Sequence, residues 1–153
     1  MRSKRDASRT PATIGLAISA PGLTGLYSRG PWSTAVAWST IEVPLAIDAP
    51  RADPDAAPLA IKAISESDNP ASEASEASEA SVALWMLLGE PSDAARQVQA
   101  VMGAGGDVST MVEPRRLRPG FTAFGQTGWP LARQAVFAAN LSDLPTPPRS
   151  SSP

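Results

Sequence analysis

The 153-residue chain reads as mainly α with extensive disorder, carrying one helical hairpin at about 70–102 and no large globular core. Large apolar side chains are scarce: Leu, Ile, Val and Phe fill 29 positions, just under the one-fifth associated with weak cores. The 42% hydrophobic content is carried mostly by 27 alanines. Gly, Pro and Ser fill 45 positions, a share in the low-complexity range. Ordering a residue costs roughly 1.5 kcal/mol, and few bulky side chains are present to offset it. A strong helical pattern occurs only within 70–102.

Residues 1–10 form a basic arm, with Arg2, Lys4, Arg5 and Arg9 against the single acid Asp6. Residues 11–47 are mildly apolar, with short strands expected at 34–38 and 41–47; Pro44 confines the second to a sheet edge. A basic head before an uncharged run is also the pattern of a targeting segment, although Gly15, Pro21, Gly22 and Gly25 interrupt it. From 48 to 69 the chain reads as a Pro/acidic linker, where Pro50, Pro54 and Pro58 alternate with Asp48, Asp53 and Asp55.

The hairpin segment, 70–103, begins at Asn69 and Pro70, a capping side chain followed by a proline whose missing N–H does no harm. Three Ser-Glu-Ala triplets run from Ser72 to Ala80 and lead into an apolar run stopped by Gly89. A second helix is expected from about Pro91 to Gly103, with Ala94, Val98, Val101 and Met102 on one face. Short connections place helices antiparallel, hence a hairpin. Residues 104–141 form an Arg/aromatic, turn-rich segment with a short helix at 130–140, and 142–153 reads as a disordered tail.

The chain holds no Cys and no His. That removes thiol nucleophiles, the usual near-neutral acid–base group and the commonest metal ligands. No nucleophile–base pair, cofactor motif or metal-ligand spacing is visible, so no catalytic, cofactor-binding or metal residue is assigned and an enzyme is not expected. The glycine-rich stretch Gly103–Ala104–Gly105–Gly106 lacks the strand before it and the acid beyond it that a dinucleotide corner needs. It reads as a helix end.

The expected function is a non-catalytic interaction or adaptor protein, docking on a protein partner or on its own copy. The assigned partner-binding residues are Val82, Leu84, Trp85, Met86, Leu87 and Leu88, an apolar Trp-bearing helix beside a soluble spacer. Arg115, Arg116 and Arg118, followed by Phe121, Phe124 and Trp129, combine charge with stacking surfaces and form a candidate anion or nucleic-acid contact. A pI near 5.1 argues against a dedicated nucleic-acid protein. A soluble chain without a membrane span is expected, because the longest unbroken apolar run, 82–88, is about a third of a span. Two alternatives stand beside this reading: an exported or organelle-targeted protein with a cleaved basic N-terminus, and the product of a weakly selected reading frame.

Overall fold

A computed structural model describes residues 13–65 and 76–145. The basic arm, the Asn69–Pro70 helix start, the first of the Ser-Glu-Ala triplets and residues 146–153 lie outside that range. Strands β1 (Leu16–Ile18) and β2 (Tyr27–Arg29) form one antiparallel pair; β3 (Thr34–Val36) and β4 (Gly128–Pro130) form another. Five α-helices follow among the described residues: α1 (Glu42–Ala52), α2 (Ala57–Ser65), α3 (Glu76–Leu87), α4 (Pro91–Ala104) and α5 (Leu131–Ala139).

The expectation of extensive disorder around one hairpin is overturned, because the described residues share one packed core. Ile41, just before α1, and Leu45 and Ala49 within it share one cluster with Leu84, Val98, Met102 and Trp129, all nearly or fully buried. The physical reason is alanine. Among the described residues, nine of the 22 buried apolar ones are Ala, including Ala49, Ala60, Ala63, Ala80 and Ala94. An Ala loses no side-chain entropy on burial, and its small size lets helices approach closely. Scarce bulky residues therefore reach across thin helix interfaces.

Prolines misled in the same region. The edge strand expected at 41–47 and the extended linker expected from 48 are instead α1, a turn at Pro54–Ala56, and α2. Pro44 falls in the first turn of α1, where no partner for its nitrogen is required. Pro54 occupies the first position of its turn, with the Asp53 carboxylate accepting from the Asp55 N–H at 3.0 Å. Pro50 does sit inside α1, and the helix ends two residues later. The tail also starts later than expected: Leu144 is buried, and Arg51 donates to the Pro145 carbonyl at 2.6 Å.

Both helices of the 70–102 segment are present, but they do not stand as an isolated pair. Helix α3 packs chiefly on α2 and α1, and α4 packs on α1 more than on α3. Ala80, Ser81, Leu84, Trp85 and Leu88 are all buried, so α3 has more apolar surface than one neighbour can cover. A helix apolar nearly all round is a core helix. The α3–α4 connection is held by Gln97, whose Nε2 donates to the Leu88 carbonyl at 2.7 Å.

The glycine-rich end of α4 is a tight junction. Asp107 N–H donates to the Met102 carbonyl at 2.9 Å, and Asn140 Nδ2 reaches the Gly105 carbonyl at 3.1 Å. A Cβ on Gly105 would lie 2.4 Å from Cδ2 of Phe137, a buried ring of α5. Gly105→Ala is therefore expected to push α5 off α4 and to cost about 1–3 kcal/mol, the usual range for overpacking. A urea melt of the variant checks this; an unchanged midpoint would mean the ring yields freely.

Candidate protein-interaction surface

Antiparallel pairing sets Leu16 opposite Arg29, Ala17 opposite Ser28, and Ile18 opposite Tyr27. Residues directly opposite share a face, and alternate residues of a strand share it too. One face of the hairpin therefore carries Ile14, Leu16, Ile18, Tyr27 and Arg29, and the other carries Ala17 and Ser28. A strand normally turns its large apolar residues inward. Here β1 packs on α5 while half-buried Ala17 is its most protected residue, and Ile14, Leu16 and Ile18 remain 69%, 48% and 53% exposed. Leu23, Leu26 and Trp32 extend the exposed apolar area around the tip and base. The hairpin is inside out.

Its base is fixed by sequence. A Cβ on Gly15 would lie 1.6 Å from the Trp32 carbonyl oxygen, so only glycine permits that crossing. The chain then runs into β3, and Leu131 N–H donates to the Ser33 carbonyl at 2.8 Å, seating α5 beneath the hairpin. The hairpin base lies over Leu131 and Ala132, at the start of α5, with Arg29 beside them. Its tip, Ser19 to Leu26, lies over Val136, Asn140 and Asp143, at the end of α5.

The residues assigned from sequence to partner binding do not form one surface. Leu84, Trp85 and Leu88 are buried, with the Trp85 ring 5.1 Å from that of Phe124. Val82 is half-buried, while Met86 and Leu87 face outward. The arginines also diverge. Arg115 grips Glu113 through a 2.9 Å Nε–Oε1 ion pair, and those hydrogen bonds hold the Glu113 carboxyl below its ordinary range. Arg118 lies 5.8 Å above the Trp38 ring and 5.4 Å above that of Phe121. Arg116 is exposed. Of the aromatics, Phe124 and Trp129 belong to the core, leaving exposed Phe121 stacked edge-on to Trp38. Trp38 sits at φ +49°, a left-handed conformation in which bulky residues are strained.

Two carboxylates stand out by their surroundings. Burial pushes Glu42 above its ordinary range, against a hydrogen bond from Ser81 that acts to lower it. Burial likewise raises Asp48, against the nearby Arg51, and one Asp48 oxygen is buried without a partner. Both sit on α1, six residues apart. No group of three or more metal-ligating side chains occurs among the described residues. No helix among them is long and apolar enough to cross a membrane.

Sequence reasoning missed the hairpin face, though its signal was present: Ile14, Leu16 and Ile18 alternate with Gly15 and Ala17. The basic residues on which a targeting segment would depend lie outside the described residues. Comparison with known proteins adds no further assignment: no family model, curated protein or solved structure matches this chain.

Proposed function

We propose that the chain is a non-catalytic interaction protein that docks on another protein surface through the outer face of its β1–β2 hairpin. The inverted alternation carries this reading: Ile14, Leu16 and Ile18 face solvent while Ala17 faces α5. An isolated two-stranded hairpin is marginal in water, and one that shows its large side chains to solvent forgoes their burial. A contiguous apolar patch of this kind is the mark of a protein–protein contact. Met86 and Leu87, the exposed remainder of the Trp-bearing helix, offer a second and smaller apolar area.

A photo-reactive residue introduced at Ile18 tests the reading. It is expected to give a discrete protein adduct in the expressing cell, and the same probe at Val108, which is 81% exposed, is expected to give none. The reading fails if position 18 is as silent as position 108.

A further inference from the structure

We propose that the corner between Trp38 and Phe121 is a binding site for a trimethylammonium group, occupied here by the chain's own Arg118. The two rings stand edge-on, 5.2 Å between centroids with 63° between their planes, and both are exposed. The Arg118 guanidinium lies over both, 5.8 Å from the Trp38 centroid and 5.4 Å from that of Phe121. The corner thus already holds a cation, drawn by the negative faces of two rings.

Trp38 is displayed there under strain. It is the only non-glycine residue at positive φ among the described residues. Its neighbours fix it in place. The buried Ala37 donates its N–H to the Thr127 carbonyl at 2.8 Å and accepts from Thr40 Oγ1 at 2.6 Å, and Ile41 is fully buried. Strain that locked surroundings impose on a large side chain shown to solvent is characteristic of a pre-organised ligand clamp. On the other wall, Gly120 at φ +80° turns the chain between Arg118 and Phe121, so the resident cation and one ring share a short loop.

The chemistry of the corner selects the ligand. Arg118 makes no hydrogen bond or ion pair among the described residues, and neither ring offers its N–H groups an acceptor. A guanidinium in this position leaves its donors to water and is weakly held, as exposed cation–π contacts are. A quaternary ammonium has no N–H to satisfy, and its methyl groups bring apolar surface to both rings while the charge stays over their faces. Such a headgroup displaces Arg118 without breaking any other contact of that side chain.

Titration of the full chain with tetramethylammonium chloride, followed through the Trp38 indole N–H resonance, tests the proposal. A saturable shift is expected, and sodium chloride at equal ionic strength is expected to give none. Arg118→Gln removes the resident cation, so its affinity for tetramethylammonium is expected to rise about two- to fivefold, the equivalent of an exposed cation–π contact. Phe121→Leu keeps an apolar wall without a π face and is expected to bind more weakly than the parent. Choline and a peptide carrying one trimethyllysine distinguish the two sources of the headgroup, the tighter binder identifying it. The neutral tert-butyl analogue of choline is expected to leave the resonance in place. The proposal is overturned if neither the parent nor Arg118→Gln gives a saturable shift, or if Arg118→Gln binds no more tightly than the parent. Binding by Phe121→Leu as strong as the parent's, or by the neutral analogue as strong as choline's, overturns it too.

Discussion

Trp85→Ala is expected to destabilise the chain by about 3–5 kcal/mol, the usual cost of truncating a large buried aromatic. Trp85 is 7% exposed, and its ring meets Phe124 at 5.1 Å between centroids with the planes tilted by 37°. Removing the indole opens a cavity between α3 and the turn at Phe124–Gln126, which lies far downstream in sequence. The surrounding helices cannot collapse into that space without breaking the Leu84 and Leu88 contacts on either side. For a chain of this length the loss corresponds to a fall in melting temperature of roughly 10 °C or more. Met86→Ala, one position on and 70% exposed, is expected to stay within about 0.5 kcal/mol of the parent. Paired urea melts check the contrast. A Trp85→Ala chain as stable as the parent would return Trp85 to the surface, as a docking anchor rather than a core residue.

That contrast shows what the sequence could and could not disclose. The buried face of α4 is legible, because Ala94, Val98, Val101 and Met102 recur at helical spacing and the polar residues fall elsewhere. The start of α4 at Pro91 is legible for the same local reason, a proline where a first turn tolerates one. The run 82–88 is not legible in this way. It is apolar nearly all round, so nothing in it says which side chains α1 and α2 will cover, and a Trp can as easily be core as anchor. Helix α1 was hidden by Pro44 and Pro50, although Ile41, Leu45 and Ala49 keep a strict four-residue spacing. Bulky side chains are only part of the buried surface, and alanine interfaces supply the remainder.

The exposed face of the hairpin was hidden by a different cause. Alternation of Ile14, Leu16 and Ile18 shows that these side chains share a face, yet alternation is symmetric with respect to inside and outside. The choice is made by α5, which comes more than a hundred residues later and seats itself against Ala17 rather than Leu16. Gly15 helps to decide it, since its missing Cβ permits the close approach to the Trp32 carbonyl that sets the hairpin base. Local pattern gives the register; tertiary packing gives the sign.

Asp107→Ala is expected to cost roughly 3 kcal/mol or more and to alter the acid limb of the stability profile. The Asp107 side chain is fully buried and accepts four hydrogen bonds: from Ser109 N–H, Ser109 Oγ and Thr110 N–H at 3.1 Å, and from Trp129 Nε1 at 2.8 Å. Truncation strands the Trp129 and Thr110 donors in surroundings without water, at about 1–3 kcal/mol for each unsatisfied group. Burial alone would raise the Asp107 pKa, but the hydrogen bonds from Thr110, Ser109 and Trp129 outweigh it and hold the group below its ordinary value. A carboxylate depressed in the folded state adds stability above its unfolded pKa, near 3.9, and that stability is lost as pH falls through the folded value. Glu113, held down by Arg115, acts in the same direction. Glu42 and Asp48 act in the opposite one: raised by burial, they oppose folding at neutral pH, and acidification relieves them first. Stability should therefore rise slightly as pH drops from neutral through the raised values, then fall from about pH 4, where the unfolded carboxyl takes up its proton, down to the lower value at which folded Asp107 does so. Urea melts across that range distinguish the groups. Asp107→Asn keeps the shape and can still accept from Ser109 and Thr110 through its amide oxygen, but sets its NH2 against the Trp129 N–H, so the whole profile should drop while the acid limb becomes shallower than the parent's and the rise through the Glu42 and Asp48 window is retained. Equal acid slopes in parent and variant would show that the charge on Asp107 contributes nothing to holding β4 against the end of α4.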